Sequence, residues 1–364
     1  MNVLIISGSF YPTNTPRSFR ATELAKELTS LGNDVTVLIP QTTYDYNEFC
    51  NRYPMSIKFY NRVPERRKYV GISIIDRAIF HYSHWLINRP AKQSMKKVEQ
   101  ALKGESGYDL LITIAFPHYI HWAVGNLYKK GHKIAKTWIA DCGDPFMLSG
   151  TDANKPPFWF KPLEIRWCTS CDFISVPTET SYKGYYPEFK EKIRVIPQGF
   201  NFDDVKLPQY KKNDVPTFAF TGSIIPGKRD PRRLLEWRSI VETPFRFHVY
   251  GNGASFFTPY QDQLGSKLVI HESVSRDELL PILSQMDFLL NIGNGTNVQT
   301  PSKLIDYTLV KRPILTIESD NVKENVFSEF LAGDYSHMDS PIDISQFDIH
   351  NVVQQFLKLC ETDD

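Results

Sequence analysis

The sequence predicts an α/β protein with two domains, each built around a parallel sheet covered by helices. Three observations support this fold class. The chain has 364 residues, which is too long for one ordinary domain and suits two. Hydrophobic residues make up 41% and charged residues 23%, a composition typical of globular proteins. Short apolar runs alternate with segments of helical periodicity, the pattern that produces parallel sheets.

The first forty residues illustrate this alternation. The apolar run at 3–7 predicts a buried parallel strand. Thr15 and Pro16 are typical of the N-cap and first residue of a helix, and apolar positions then recur at helical spacing as far as Gly32. The apolar segment 34–40 is the next strand, so this region is a strand–helix–strand unit.

Two such alternating series follow one another, separated by a polar stretch at about 202–216 that we interpret as the domain linker. We therefore predict domains at 1–204 and 205–347, with a C-terminal helix within 348–364 as a candidate to pack back on the first domain. The other predicted strands are 109–115, 136–140, 173–177, 193–196, 217–221, 245–250, 268–271, 288–292 and 313–317, and the other predicted helices are 120–130, 232–239, 276–284, 301–310 and 350–360.

Charge, hydropathy and cysteine content exclude several classes of protein. Lys and Arg total 42 against 41 Asp and Glu, so the basic excess of a nucleic-acid-binding protein is missing. No apolar run reaches the length of a transmembrane helix, and the start of the chain lacks the basic region of a signal peptide. The five cysteines are an odd and sparse set, typical of reduced thiols. We expect a cytoplasmic protein.

The most informative segment is 291–317, in which a predicted strand leads through a loop into a helix start. A helix start presents unpaired N–H groups and the positive end of the helix dipole, which suits a diphosphate. The polar side chains here belong to Thr300, Ser302, Lys303 and Asp306. The hydroxyls of Thr300 and Ser302 and the cation of Lys303 suit phosphate oxygens. The carboxylate of Asp306, one turn later, can accept hydrogen bonds from the hydroxyls of a ribose. An ordinary helix start with exposed polar residues is the alternative.

With its surroundings, this segment resembles the donor site of GT-B glycosyltransferases, specifically the retaining, family-4-like group. In that group P-S-K-x-x-[DE]-Y precedes a strand that begins with proline. The matching residues here are Pro301, Ser302, Lys303, Asp306, Tyr307 and Pro313. The resemblance implies two Rossmann-like domains facing each other across a cleft. It also implies that Asp306 holds the ribose and that the backbone of 300–303 meets the diphosphate.

The chain departs from the pattern of this group at two positions. Many members have a glutamate eight residues before the acid, where this chain has Val298, so the usual contact with the donor sugar is unassigned. Lys311 stands where a glycine is usual, and if this lysine takes the left-handed conformation, it does so at a cost of about 1 kcal/mol.

Two other strand-to-helix loops of the second half carry donor-side candidates. After strand 217–221 the chain has Gly222, Ser223, Lys228 and Arg229. By resemblance, this loop neutralises the departing diphosphate, with Lys228 as the first catalytic choice and Arg229 as the second. Gly251 belongs to a segment that resembles the loop beside the nucleotide base. The alternative for the loop after strand 217–221 is a solvated surface turn.

The first half supplies the acceptor-side candidates. By resemblance, Arg17 and Arg20 meet an anionic acceptor or the donor phosphate, and His118 approaches the donor sugar. Asp141 and Asp144 stand in a D-x-x-D-P element, where they could contact an acceptor hydroxyl or act as general base. Each residue also has a structural reading as a surface arginine, a core histidine or a loop-capping aspartate.

One region has a distinctive composition. Between Lys58 and Lys103, basic residues outnumber acidic ones and apolar residues are interleaved with them. The mix suits contact with an anionic membrane surface or a lipid-linked acceptor, and a solvated helix face is the alternative. The C-x-x-C formed by Cys168 and Cys171 lacks two further ligands nearby, so buried thiols are predicted rather than a zinc site. We expect no metal and no cofactor.

The resemblance thus implies a hexosyltransferase that moves a sugar from a UDP- or GDP-linked donor to a glycan or lipid-linked acceptor. The implied setting is assembly of a surface polysaccharide such as capsule or O-antigen, in the cytoplasm or at the inner face of the plasma membrane. A sugar-nucleotide epimerase of the same fold and a non-catalytic sugar-nucleotide-binding protein remain open. An NAD-dependent oxidoreductase is disfavoured because G-x-G-x-x-G is missing after the first strand.

Overall fold

A computed structural model describes residues 1–61, 88–148, 156–222, 224–226, 229–240, 243–251, 254–293 and 302–361. The chain divides into two compact units. The first is Met1–Phe200 together with Gln346–Asp364, and the second is Asn201–Ser345. The domains predicted from the sequence end at 204 and 347, a few residues beyond these boundaries.

The first unit is built on a parallel sheet. Its described strands are β1 (Asn2–Ser7), β2 (Asp34–Pro40), β3 (Ser56–Tyr60), β4 (Tyr108–Ala115), β5 (Ala135–Cys142), β6 (Phe173–Val176) and β7 (Ile193–Val195). They are arranged in the order β3-β2-β1-β4-β5-β6-β7. Because all strands are parallel, the loops that follow them lie at one edge of the sheet.

Helices cover both faces of this sheet. The described helices are α1 (Pro16–Ser30), α2 (Asn47–Arg52), α3 (Arg89–Ala101), α4 (Tyr119–Lys129), α5 (Lys161–Ser170) and α11 (Ile349–Lys358), with short 3-10 turns at Phe158–Phe160, Glu179–Gly184 and Pro187–Lys192. Alternation along β1 explains the two layers, since Leu4 and Ile6 join one hydrophobic core while Val3 and Ile5 join the other. The first core contains α3, α4 and α5, and the second contains α1 and α11.

Local sequence explains where α1 begins and why the C-terminal helix returns. The side chain of Thr15 accepts a hydrogen bond from the backbone N–H of Ser18 at 3.2 Å, and Pro16 follows as the first helical residue. In α11, Val352, Val353 and Phe356 are fully buried, which fixes this helix against the core of the first unit. Their burial supplies the hydrophobic free energy that holds the end of the chain here.

The second unit repeats the plan with a smaller sheet. Its described strands are β8 (Thr217–Thr221), β9 (Arg246–Tyr250), β10 (Leu268–His271), β11 (Phe288–Ile292) and β12 (Ile314–Ile317), in the parallel order β10-β9-β8-β11-β12. Its described helices are α6 (Arg232–Ile240), α7 (Ala254–Leu264), α8 (Arg276–Ser284), α9 (Ser302–Leu309) and α10 (Glu324–Ala332), with 3-10 turns at Gly265–Lys267 and Ser345–Phe347. Phe218 stacks on Phe247 and Phe288 at centroid distances of 4.7 and 4.6 Å, which places three rings at the centre of this core.

The observed strands and helices agree with those predicted from the sequence. Each predicted strand and helix named above is present, with its ends within about two residues of the predicted ones. Lys311 has φ of +56°, so this lysine before β12 does take the left-handed conformation. Cys168 and Cys171 are buried with free thiols, as predicted. Among the described residues, no helix is long and apolar enough to cross a membrane.

Candidate functional site

Two glycine loops in the second unit pack directly against each other. Gly222 follows β8 with φ of +116°, and Gly251 follows β9 with φ of +134°, a range that favours glycine. A Cβ added to Gly251 would lie 2.6 Å from the carbonyl oxygen of Gly222. The N–H of Gly222 also donates to the carbonyl oxygen of Tyr250 at 3.0 Å. Gly251 is therefore required by a close approach of two backbones at the carboxyl edge of the sheet, and Gly222 is favoured by its positive φ.

The loop after β8 folds back through a pair of backbone hydrogen bonds, which places Arg229 beside Gly222. The N–H groups of Ile225 and Arg229 donate to each other's carbonyl oxygens at 3.1 and 2.8 Å. A Cβ added to Gly222 would lie 3.9 Å from an Nη atom of Arg229, so the guanidinium lies beside the glycine. The two neighbours predicted with it, Ser223 and Lys228, lie outside the described residues, and their roles stay predictions.

Lys303 is a second cation beside Arg229. It lies on the first turn of α9, and its Nζ is 4.7 Å from the ring centroid of Phe220 in β8. Nζ is buried and has no hydrogen-bond partner among the residues that the structure describes. Burial, together with the nearby guanidinium of Arg229, lowers the pKa of Lys303 to about 7. This arrangement is costly by itself and would be stabilised by an anion.

The helix start that carries Lys303 is only partly described. Ser302 is the first residue of α9. Thr300 and Pro301, which the sequence assigns to the diphosphate, lie outside the described residues, and so does Val298.

Asp306 lies one turn further along α9 and is paired with Arg276 at the start of α8. Nε and Nη2 of Arg276 both contact Oδ1 of Asp306 at 2.8 Å. Burial raises the pKa of Asp306, whereas the guanidinium acts in the opposite direction. Oδ2 takes part in neither contact with Arg276, which makes it the oxygen suited to a ribose hydroxyl. Sequence reasoning missed Arg276, because a partner thirty residues upstream leaves no local motif.

Tyr307 fixes α9 relative to the sheet. Its hydroxyl accepts from the N–H of Thr221 at 2.9 Å and donates to the carbonyl oxygen of Leu290 at 3.2 Å. The side chain is fully buried. It therefore joins the end of β8 and the middle of β11 to the helix that carries Lys303 and Asp306, and acts as a positioning residue.

A further carboxylate lies at this edge and was not predicted. Glu318 follows β12, and a Cβ added to Gly293 would lie 2.4 Å from both of its carboxylate oxygens. The carboxylate therefore rests over the backbone of Gly293 at the end of β11. The next residue, Ser319, accepts a hydrogen bond from the N–H of Asp230 at 2.9 Å, which joins this turn to the loop of Arg229.

In the first unit, three predicted residues gather at the ends of β4 and β5. Arg17 contacts Asp144 at 3.3 Å, and these side chains are 21% and 76% exposed. The guanidinium of Arg17 lies over Gly143, where any Cβ would overlap it. His118 is buried, and burial lowers its pKa to about 4, with Asp144 acting to raise it and Arg17 to lower it. His118 is therefore neutral near pH 7.

Arg20 and Asp141 form a separate, buried ion pair. Nη2 and Nε of Arg20 donate to the two carboxylate oxygens of Asp141 at 2.8 and 3.2 Å, and Ser175 adds a hydrogen bond at 2.7 Å. The two residues are 3% and 2% exposed. Burial acts to raise the pKa of Asp141, but Arg20 holds it below its ordinary value. Each charge faces the other in the interior, and the pair joins α1 to β5, which favours the structural reading of both residues, while their contact with an acceptor stays a prediction.

No protein-family model matches the sequence, and no curated protein matches it. Solved structures resemble it along its whole length. The lipopolysaccharide outer core galactosyltransferase WaaB in its apo form aligns with 100% of this chain and 99% of its own, with a TM-score of 0.58 and 12% identity.

Two further solved structures agree with this match. Anabaena Alr3699/HepE in complex with UDP covers 100% of both chains at a TM-score of 0.60 and 9% identity. A glycosyltransferase from Rickettsia africae covers 99% of this chain and 97% of its own, at a TM-score of 0.60 and 12% identity. Identities this low show the fold alone. The chain has the GT-B fold with its two Rossmann-like domains, which confirms the fold class predicted from the sequence.

Proposed function

We propose that this protein is a glycosyltransferase that moves a hexose from a nucleotide-diphosphate sugar to a glycan or lipid-linked acceptor. The observation that carries the proposal is the buried Nζ of Lys303, set beside Arg229 at the carboxyl edge of the second sheet. Two neighbouring cations in a poorly solvated position favour an anion with several oxygens, such as a diphosphate. A solved neighbour from Anabaena was crystallised with UDP-glucose, which supports UDP as the first nucleotide to test.

In this proposal each described donor-side residue has a distinct task. Gly222 and Gly251 allow the phosphates to approach the backbone, while Arg229 and Lys303 neutralise the charge that builds on the leaving diphosphate. Lys228, Thr300 and Pro301 are proposed to complete this phosphate site. Asp306 accepts a ribose hydroxyl, with Arg276 fixing the orientation of its carboxylate.

Glu318 is proposed to accept hydroxyl groups of the transferred sugar. It is a carboxylate at the end of β12, beside the loop of Arg229, so it could replace the acid that is missing at Val298. A carboxylate next to a diphosphate site recognises hydroxyl groups through charge-assisted hydrogen bonds.

On the acceptor side, Asp144 and Arg17 are the accessible charged pair, and neutral His118 lies next to them. We propose retention of the anomeric configuration, with the leaving phosphate helping to deprotonate the acceptor and Asp144 as the candidate protein base. We also propose transfer without a metal, because side-chain cations supply the positive charge. Assembly of a surface polysaccharide such as capsule or O-antigen is the proposed setting.

A thermal-shift screen with UDP, GDP, ADP, CMP and dTDP tests the donor site. We expect one nucleoside diphosphate to raise the melting temperature of the wild type and to have little effect on Lys303→Met. Asp306→Ala should weaken the same response, and Asp320→Ala, an exposed aspartate of the second unit, is the matched control. If no nucleotide stabilises the wild type, the donor-site proposal is wrong.

Hydrolysis of the sugar nucleotide separates a transferase from a binding protein. A transferase is expected to release its nucleotide slowly without acceptor, because water can replace the acceptor hydroxyl. Nucleotide binding without any release, in the presence of glycan and lipid-linked acceptors, would instead support the non-catalytic alternative. Racemised or epimerised sugar nucleotide would support the epimerase.

A further inference from the structure

Two tyrosines lie together at the carboxyl edge of the first sheet. Tyr11 follows β1, and Tyr44 follows the neighbouring strand β2. Their ring centroids are 5.6 Å apart, their planes meet at 83°, and a hydrogen bond joins their side chains. Tyr11 is 40% exposed, and Tyr44 is half-buried. We refer to these two residues as the tyrosine pair.

The tyrosine pair is held in place by neighbouring side chains. The ring of Tyr11 stacks on that of Phe49 in α2, with centroids 4.9 Å apart and planes inclined by 24°. The N–H of Tyr11 donates to Oγ1 of Thr22 at 3.1 Å, and its carbonyl oxygen accepts from the hydroxyl of Tyr46 at 2.5 Å. The ring of Tyr46 also contacts that of Tyr44, with centroids 4.9 Å apart. Because these rings are already ordered, a ligand that packs on them costs the protein little conformational entropy.

Two carboxylates give the surroundings of the tyrosine pair a negative charge. Asp45 and Glu48 are exposed, and both act electrostatically on the hydroxyl of Tyr44. Burial, the hydrogen bond with Tyr11 and these carboxylates raise the pKa of Tyr44, so its hydroxyl stays neutral at physiological pH. Phosphates and other anions are repelled here, whereas hydroxyl groups can donate charge-assisted hydrogen bonds to the carboxylates. The surroundings therefore suit a neutral ligand that is rich in hydroxyl groups.

A pyranose ring combines these properties. One of its faces consists of C–H groups, which pack on an aromatic ring as other apolar surfaces do, and its edge carries hydroxyl groups. Tyrosine hydroxyls and carboxylates bind such groups by hydrogen bonds. A neutral sugar ring is therefore the ligand that the tyrosine pair fits.

The loop that carries Tyr11 also reaches the acceptor-side residues of the proposed function. A Cβ added to Gly8, at the start of this loop, would lie 2.1 Å from Cδ of Pro117, just after β4. At the other end of the loop, on the first turn of α1, Arg17 contacts Asp144 at 3.3 Å. The loop therefore connects the tyrosine pair with the ends of β4 and β5.

The distance along this edge indicates which sugar ring the tyrosine pair would bind. In the sheet order β2-β1-β4-β5, one strand separates β1 from β5. Neighbouring strands are about 4.8 Å apart, so the strand ends that precede Tyr11 and Asp144 are about 10 Å apart. A single sugar ring is shorter than this separation, and a short oligosaccharide spans it.

We propose that the tyrosine pair is a further acceptor subsite, which binds a neutral sugar ring of an oligosaccharide at a distance from the ring that receives the transferred sugar. The inference rests on the proposed function, because it assigns part of the acceptor side. It goes further in making the acceptor an oligosaccharide, for which a monosaccharide is a poor substitute. Binding of the oligosaccharide requires neither donor nor transfer, so the two proposals fail separately.

An array of immobilised neutral and anionic glycans, from monosaccharides to hexasaccharides, tests the subsite with the full chain. We expect the wild type to bind a subset of the neutral oligosaccharides and no monosaccharide. Tyr11→Ala should weaken this binding by about tenfold or more, because the exposed part of one aromatic ring no longer packs on the ligand. Tyr11→Phe keeps the ring and should retain most of the binding. Phe158→Ala removes a ring that is 79% exposed in the same unit and is the matched control.

The fold of the alanine variant needs its own measurement, because Tyr11 packs on Phe49. Circular dichroism melting shows whether Tyr11→Ala is folded. Tyr11→Leu keeps an apolar side chain over Phe49 but has no flat ring. It should therefore bind oligosaccharides as weakly as Tyr11→Ala while melting close to the wild type.

Steady-state transfer from the sugar nucleotide measures the dependence on acceptor length. For an oligosaccharide identified on the array, Tyr11→Ala should raise KM by about tenfold. KM for the methyl glycoside of the sugar that receives the transferred residue should change little, because this short acceptor does not reach the tyrosine pair. An equal rise for both acceptors would show a distorted loop and would overturn the proposal.

Saturation-transfer NMR identifies the sugar ring that is bound. Irradiation of the aromatic protons of the wild type should transfer saturation to the C–H protons of a ring other than the one that receives the transferred sugar. This signal should be lost in Tyr11→Ala and kept in Tyr11→Phe, because it depends on the ring and not on the hydroxyl.

Three results on the array would overturn the proposal. The first is a wild type that binds no neutral oligosaccharide. The second is a Tyr11→Ala variant that binds as well as Phe158→Ala. The third is a preference for anionic glycans, which would contradict the effect assigned to Asp45 and Glu48. Oligosaccharide binding that depends on Tyr11, together with no transfer from any sugar nucleotide, would support the subsite and reject the proposed function.

Discussion

Charged residues lie at the carboxyl edges of both sheets. They are paired with opposite charges in the first unit, whereas in the second unit two cations lie side by side. In the first unit, Arg20 is neutralised by Asp141 and Arg17 contacts Asp144. In the second unit, Lys303 is buried beside Arg229, and its Nζ lacks a hydrogen-bond partner within the described part of the chain. A buried charge with its counter-ion is compensated within the fold, so that removing one partner is costly, whereas a buried cation next to another cation is a cost to the fold that an anionic ligand can relieve.

The largest expected effect comes from breaking the buried pair of the first unit. Arg20→Met leaves Asp141 buried without its counter-ion and should lower the free energy of unfolding by about 3–5 kcal/mol. Urea unfolding at neutral pH measures this loss. Arg17→Met, which breaks the exposed pair with Asp144, should cost about 1 kcal/mol or less and is the control. Equal losses in the two variants would contradict the distinction between a structural and an accessible pair.

Lys303→Met should produce the opposite combination in the second unit. Removing a poorly solvated ammonium while keeping an apolar stem should leave the protein at least as stable. Turnover with the sugar nucleotide should nevertheless fall by about a hundredfold, because a charge-assisted contact to the leaving diphosphate is lost. Unfolding and steady-state kinetics of the same preparation give both quantities. A strongly destabilised variant would show that Lys303 is structural.

The pH dependence of binding follows from the same lysine. Its pKa is about 7 in the folded protein, below the ordinary value of the unfolded chain. The unfolded state therefore binds more protons above pH 7, and this group makes the protein more stable as pH rises from about 7 to 10. A bound diphosphate favours the charged ammonium, so binding near pH 8.5 should take up as much as about one proton per site.

Isothermal titration in two buffers with different ionisation enthalpies measures this proton uptake. The uptake should shrink below about pH 6, where Lys303 is already charged. Lys303→Met should bind weakly and without the uptake, at ligand concentrations high enough to saturate it. Proton uptake that persists in this variant would assign it to another group.

The regular elements could be predicted because local sequence determines them. Thr15 and Pro16 mark the start of α1, and the apolar runs of β8 and β11 have the length and composition of buried parallel strands. Elements whose local sequence signals conflict were not predicted. Helix α7 contains Pro259, which normally ends a helix, and the edge strand β3 buries little besides Tyr60.

For the candidate site, the sequence predicted only which residue types lie at one helix start. Lys303 and Asp306 follow from a motif, but their environments do not. That Lys303 lies over Phe220, that Asp306 is held by Arg276, and that Arg20 is enclosed with Asp141 all depend on contacts between residues distant in sequence. Burial and pairing, which decide between a ligand contact and a structural role, are properties of the packed fold.

The smallest expected effect concerns Glu318, whose proposed task is to recognise the transferred sugar rather than the nucleotide. Glu318→Gln keeps the size of the side chain over Gly293 but removes its charge. It should weaken the affinity for the sugar nucleotide by about tenfold, the value of one hydrogen bond to a charged acceptor, and leave the affinity for the free nucleoside diphosphate unchanged. Titration of both ligands against the wild type and against Glu324→Gln, an exposed control nearby, resolves this difference. Equal weakening of both ligands would place Glu318 in the phosphate site. No change in either would return the sugar contact to the segment that includes Val298, so the comparison between the two ligands decides which part of the donor this edge of the second sheet recognises.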